Sequence, residues 1–151
     1  KIYFRSKKFG KNLIDNLTLE TDLSYGRLNI IKKFSISENN FICSNIINLL
    51  EDFPIVYFNC SVYSPDLKKM FKKIGIKSQL KNEKLSIRVT GNLNPINRKI
   101  NFDSIVTNKK SRASDDDLKY YKITFENILF NENFLKIFDL KKIKKFVLAI
   151  S

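Results

Sequence analysis

Phe41-Ile42-Cys43-Ser44-Asn45-Ile46-Ile47-Asn48-Leu49-Leu50-Glu51-Asp52-Phe53-Pro54-Ile55-Val56-Tyr57-Phe58-Asn59-Cys60-Ser61-Val62-Tyr63 is the stretch that decides the fold. Two apolar-rich runs flank a short polar spacer, as in a β-hairpin. With Glu51-Asp52 as the loop, Leu50 pairs with Phe53, Leu49 with Pro54, and Cys43 with Cys60. Side chains alternate between the faces of a sheet. One face then carries Phe41, Cys43, Ile47, Leu49, Val56, Phe58, Cys60 and Val62. The other mixes Ser44, Asn48, Asn59, Ser61 and Tyr63 with Ile42, Ile46, Ile55 and Tyr57. Pro54 has no N–H to give the ladder and favours a strand end or edge there.

Upstream the period of two continues. Leu17, Leu19, Thr21 and Leu23 alternate with polar residues. Ser24-Tyr25-Gly26 is a turn, and Leu28, Ile30, Phe34 and Ile36 resume the pattern. The slip at Ile31 to Lys33 predicts a β-bulge. A turn centred on Glu38-Asn39 would set Ile36 opposite Phe41 and Phe34 opposite Cys43.

Downstream, Ser64 is the expected N-cap of a helix and Pro65 its first residue. Leu67, Met70, Phe71 and Ile74 form its apolar stripe, and Gly75 ends it. A second hairpin follows. Leu85, Ile87 and Val89 alternate, as do Ile100, Phe102 and Val106. A turn at Asn94-Pro95-Ile96-Asn97 would set Val89 opposite Phe102 and Arg88 opposite Asp103. Asn108 to Ala113 reads as a polar loop. Ser114 then caps a helix opened by Asp115, Asp116 and Asp117, where the helix dipole favours negative charge. Its stripe is Leu118, Tyr121, Phe125, Ile128 and Leu129. A further short helix is expected within Asn131 to Asp139, and Lys141 to Ser151 fits either a helix or an edge strand.

The expected fold is mainly β with α elements. It is a twisted antiparallel meander forming an open groove, with one short amphipathic helix inserted at 65–75 and a helical C-terminal segment at 114–151. The groove portion spans 12–107. The 151 residues open at Lys1 directly into apolar sequence, and are expected to be one fragment of a larger protein.

Chemistry is sparse. Histidine is absent, which removes Ser-His and Cys-His catalysis and the commonest metal ligand. With 4 Gly, neither a phosphate-cradling loop nor a dinucleotide fingerprint is present. Consecutive aspartates at 115 to 117 do not share a helix face, and no metal or cofactor is expected. The reading is of a protein that is not an enzyme. Cys43 and Cys60, if opposite one another, would be placed for a disulfide worth about 3 kcal/mol in an oxidising compartment; two small buried thiols are the alternative.

Lys+Arg of 28 against Asp+Glu of 15 gives a net charge of +13. Such a balance fits nucleic acid or an anionic membrane surface. However, the lysines are spread along the chain, and AT-rich codons supply Lys, Asn, Ile and Phe together. The basic-aromatic stretches Lys1 to Phe9 and Lys119 to Lys122 carry no nucleic-acid signature, so nucleic acid is not the expected partner. No apolar run reaches the ~20 residues of a membrane-spanning helix.

The segments FSISENNFICSNIINLLEDFPIVYFNCSVYSPDLKKMFKKIGI (Phe34 to Ile76) and LSIRVTGNLNPINRKINFDSI (Leu85 to Ile105) resemble the C-terminal region of AsmA-like bacterial envelope proteins. The resemblance covers Leu17 to Ile105. It implies a repeating β-groove that conducts phospholipid between inner and outer membrane, in the periplasm, within a protein anchored in the inner membrane by a helix outside this sequence or approached through the helical C-terminal segment. Phospholipid acyl chains would be the partner. Phe41, Ile47, Leu49, Val56, Phe58, Val62, Val89, Ile100 and Phe102 would line the groove. The alternatives are a structural or protein-interaction β module whose apolar face is simply core, and a basic nucleic-acid-binding domain.

Overall fold

The computed structural model describes residues 1–9, 13–76, 84–107, 112–130, 141–142 and 144–145. Seven strands follow one another in space as they do in sequence: β1 (Ile2–Phe9), β2 (Ile14–Ser24), β3 (Arg27–Ile36), β4 (Asn39–Asn48), β5 (Val56–Ser64), β6 (Leu85–Asn94) and β7 (Lys99–Thr107). Every neighbouring pair is antiparallel. The sheet is an open meander, as the alternation of apolar and polar residues implies. Helix α1 (Leu67–Lys73) lies in the connection from β5 to β6, and α2 (Asp115–Leu129) follows β7.

The turns are tight where the backbone is left-handed. Tyr25 and Gly26 have φ of 49° and 71°, and Ser37 and Glu38 have 47° and 69°. Positive φ at both central positions matches the twist of the flanking strands. The second turn is therefore Ser37-Glu38, one residue earlier than expected. Phe34 stands opposite Phe41 and Ile36 opposite Asn39, which corrects the register by two residues and leaves the faces unchanged. Asn39 is the cause. It is fully buried, and its side-chain amide donates to the carbonyls of Ile36 (2.7 Å) and Ser37 (2.8 Å). Ser64 donates to the Asn39 side-chain oxygen. Ser64 is thus engaged at the end of β5, and Asp66 caps α1 instead, accepting from the Lys69 N–H at 2.9 Å. The helix begins at Leu67, not Pro65.

The β4–β5 register is the one read from sequence, with Cys43 opposite Cys60 and Asn45 opposite Phe58. Its loop is longer than two residues. Asn48 folds back on it, accepting from the Leu50 N–H and donating to Glu51, and the Leu49 N–H bonds to the Gly26 carbonyl at 2.8 Å. Leu49 and Pro54 consequently lie outside the ladder. The turn between β6 and β7 is Pro95 to Arg98, held by Asn94, whose side-chain oxygen accepts from the N–H groups of Ile96 and Asn97. Gly91 stands opposite Phe102, Val89 opposite Ile105 and Arg88 opposite Val106. The expected Val89:Phe102 and Arg88:Asp103 pairs do not form, because the turn moves by one residue and the ladder shifts between Thr90 and Gly91. Asp103 is the extra residue on β7. The bulge expected at Ile31 to Lys33 is absent. The irregularity lies in β2 between Asp15 and Thr18, where Asn16 has a φ of 53°.

Two clusters hold helices to the sheet. Met70, Phe71 and Ile76 are buried against Ile36, Phe41, Leu67 and Ile74. At the other side Phe125 of α2 packs edge-on to Phe102 (6.0 Å between ring centres) and to Phe130 (5.6 Å), with Ile100, Leu129 and Phe130 buried. Each large apolar side chain fully buried contributes ~1.5–3 kcal/mol, so these junctions are the strongest packing among the described residues. Ser114 caps α2, as expected, and with Asp117 it forms a reciprocal capping box. The helix expected within Asn131 to Asp139 and most of Lys141 to Ser151 lie outside the described residues; positions 141, 142, 144 and 145 are helical.

Glu38 adopts a left-handed conformation that costs an L-residue roughly 1–2 kcal/mol. Its ion pair with Lys69, 3.9 Å between two exposed side chains, adds little. Glu38→Gly is expected to raise the urea midpoint, with a gain of up to about 1 kcal/mol once the greater freedom of glycine in the unfolded chain is subtracted.

Candidate functional site

One face of the sheet is largely apolar. Through the ladder, Leu19 and Thr21 of β2, Leu28, Ile30, Phe34 and Ile36 of β3, and Phe41, Cys43 and Ile47 of β4 share it. Val56, Phe58, Cys60 and Val62 of β5 follow, then Ile87, Val89 and Leu93 of β6, and Ile100, Phe102 and Ile105 of β7. Ile36, Phe41 and Phe102 belong to this face, so both helices lie on the same side. Helix α1 covers the end of β3 and β4 beside their turn, and α2 covers the edge strand β7. Between them Ile30, Ile47, Val56, Phe58, Val62, Ile87 and Val89 are half-buried among the described residues.

Eight of the nine residues proposed to line a groove share this face. Phe41 stacks on Phe34 (4.7 Å, nearly parallel) and packs against α1. Phe58 meets Phe102 edge-on at 6.2 Å. It lies over Gly91, where an added Cβ would come within 2.7 Å of the Phe58 ring and collide with the Asn101 carbonyl. Ile100 is on the face but sealed beneath α2, at 3% exposure, so it is core rather than lining. Leu49 is in the turn after β4 and exposed; it does not join the face. Cys43 and Cys60 are joined by a disulfide in the middle of the face.

Two residues that the reading of the sequence passed over stand on this face. Lys32 pairs with Leu19 on one side and Cys43 on the other. Burial pushes its ammonium below the ordinary lysine range, because a low-dielectric surround disfavours the charged form. Asn45, between Ile30 and Phe58, is 8% exposed, and its side-chain oxygen has no hydrogen-bond partner among the described residues. The signal was available in the parity of the strand: Asn45 falls on the odd positions with Phe41, Cys43 and Ile47.

The reverse face is mixed. Ile42, Ile46, Tyr57 and Tyr63 are about half exposed there, separated by Ser44, Asn59, Ser61 and Arg88. A polar hollow of about 610 Å³ lies near the β3–β4 turn, lined by Lys7, Lys8, Asp15, Asn16, Ser35, Ser37, Glu38 and Asn40. Its central carboxylate is neutralised twice over. Asp15 receives Lys8 of β1 at 2.6 Å and Lys73 of α1 at 3.0 Å. These hydrogen bonds, that of Lys8 first, lower its pKa to about 2. A carboxylate held so firmly ionised is a poor proton carrier near neutrality and serves to tie the edge strand and helix to β2. No group of three His, Cys, Asp or Glu residues suited to a metal occurs among the described residues. No helix among them is long and apolar enough to cross a membrane.

No protein-family model, curated protein or solved structure matches this chain.

Because the folded pKa of Asp15 lies below its ordinary value of 3.8, its contribution to stability is complete above about pH 4 and is lost as pH falls toward about 2. Urea denaturation at a series of pH values should show this loss, and Asp15→Asn should flatten that part of the profile while lowering stability at pH 7.

Proposed function

We propose that this chain is a non-catalytic lipid-handling segment, similar in kind to the C-terminal region of AsmA-like envelope proteins, in which the apolar sheet face guides phospholipid acyl chains. One observation carries the reading. A largely apolar surface over β2 to β7, with Lys32 and Asn45 in it, is covered by α1 at the end of β3 and β4 and by α2 at β7, and is left incompletely buried at Ile30, Ile47, Val56, Phe58, Val62 and Val89 among the described residues. Contiguous apolar patches beyond a few hundred Å² on soluble proteins commonly mark binding surfaces. Recognition by such a surface is non-directional and scales with area, which lets a chain slide along it. The resemblance would set this activity in the periplasm, in transfer between the two membranes. The disulfide between Cys43 and Cys60 supports an oxidising compartment.

Site-specific photocrosslinking in cells tests the proposal. A photoreactive residue at position 58 is expected to capture lipid, and one at position 57, on the reverse face, is not. Phe58→Asp supplies the second arm. On an open groove the carboxylate reaches water and the thermal melt shifts modestly. In a sealed core it would be buried unpaired and cost several kcal/mol. Collapse of the fold together with no crosslink at position 58 would favour the structural-module reading.

A further inference from the structure

We propose that Lys32 forms an anion station on the apolar face, with Asn45 beside it to accept from a hydroxyl, so that the ligand is an amphiphile carrying an anionic oxygen, carboxylate or phosphate, at the head of its chain. The inference rests on the lipid-handling reading and specifies the ligand class of that same surface.

A lysine on an apolar sheet face ordinarily finds an acid or reaches water. Elsewhere in this protein the first solution is used repeatedly: Lys8, Lys33, Lys69, Lys73 and Lys99 each stand within 4.0 Å of a carboxylate. Lys32 has no ion pair or hydrogen bond among the described residues. Its neighbour Lys33 points to the reverse face, where it meets Glu20. Glu20 and Asp22 of β2 pair with Ile31 and Asn29 and so belong to that reverse face too. The flanking residues on the side of Lys32 are Leu19 and Thr21 of β2 and Phe41, Cys43 and Asn45 of β4. None is acidic. The cation is therefore set on an apolar surface whose own strands offer it no counter-charge.

Asn45 is the second, independent observation. It is more than nine-tenths buried and its Oδ1 lacks a partner. An orphaned buried polar atom costs free energy that a ligand can return. Lys32 opposes Cys43 and Asn45 opposes Ile30, so the two are diagonal neighbours on one face, roughly 7–8 Å apart at the backbone and within reach of a lysine side chain. An anionic oxygen accepts from the ammonium. Asn45 Oδ1, an acceptor, takes the hydrogen of an adjoining head-group hydroxyl. The chain then runs over Ile47, Val56 and Phe58, which surround Asn45 in the ladder.

The test uses the purified chain and four probes: oleate, lysophosphatidate, oleyl alcohol and inorganic phosphate, with binding read by calorimetry. Wild type is expected to bind the two anionic amphiphiles at least about tenfold more tightly than the alcohol, the range of one charge-assisted hydrogen bond, and to bind phosphate alone negligibly. Lys32→Gln is expected to erase that preference and leave alcohol binding unchanged, Lys32→Arg to retain it, and Asn45→Leu to weaken binding of lysophosphatidate, which carries a hydroxyl, and not of oleate. Equal binding of acid and alcohol, unaffected by Lys32→Gln, would overturn the station and leave the groove standing. Phosphate bound at Lys32 without any amphiphile would overturn it in favour of a free-anion site. Failure of every amphiphile to bind would sink the lipid reading itself. A thermal melt of each variant confirms that it is folded.

Discussion

Cys43 stands opposite Cys60 in the ladder between β4 and β5, and because side chains alternate along a strand, this pairing assigns every residue of both strands to a face. A slip of one residue would turn Phe58 and Val56 to the side of Tyr57 and Arg88. The antiparallel neighbours propagate the assignment outward through Phe34 and Ile30 in one direction and through Val89 and Phe102 in the other. The helices follow from it. Each brings a short apolar stripe to the one side of the sheet that can bury it, α1 at Ile36 and Phe41 and α2 at Ile100 and Phe102.

Burial is uneven as a result. The described residues have two packed junctions and, between them, a half-open apolar surface with a disulfide, a partnerless lysine and a buried asparagine in it. A sheet face that served only as core would gain from replacing Lys32 and Asn45 with aliphatic residues, since desolvating a charge and an unpaired amide both oppose folding. Residues that break a local rule without a visible return in stability concentrate at functional sites. The energetic cost of the face and the amphiphile proposed for it are linked in this way. The ion-paired cluster of Lys8, Asp15 and Lys73 has the opposite character: its charges satisfy one another, and it is read as a structural tie.

The alternation of apolar residues made the meander, the central register and the apolar face legible in the sequence. Turn positions were less so, for physical reasons. Ser37-Glu38 takes a left-handed turn without a glycine, because the buried Asn39 side chain donates to the carbonyls of Ile36 and Ser37, and no local pattern announces that. Ser64 looks like a helix cap by type and spacing, yet its hydroxyl is spent on Asn39 twenty-five residues earlier. The most instructive misreading is at Lys32. A cation in the apolar phase of β3 reads as a slip of register, whereas the ladder passes through it unbroken and leaves the charge on the apolar side. Asn45 was overlooked for the same reason: apolar neighbours defined the face, and the polar residue in phase with them was left out.

The central claim is that an acyl chain lies against this face and not the other. The most direct measurement is paramagnetic broadening of methyl resonances by a fatty acid carrying a nitroxide on its chain, in the isotope-labelled protein. The account predicts selective broadening at Ile30, Ile47, Val56, Val62 and Val89, with Ile31, Ile42 and Ile46 on the reverse face spared. Equal broadening of both sets, or broadening confined to the reverse face, would contradict it.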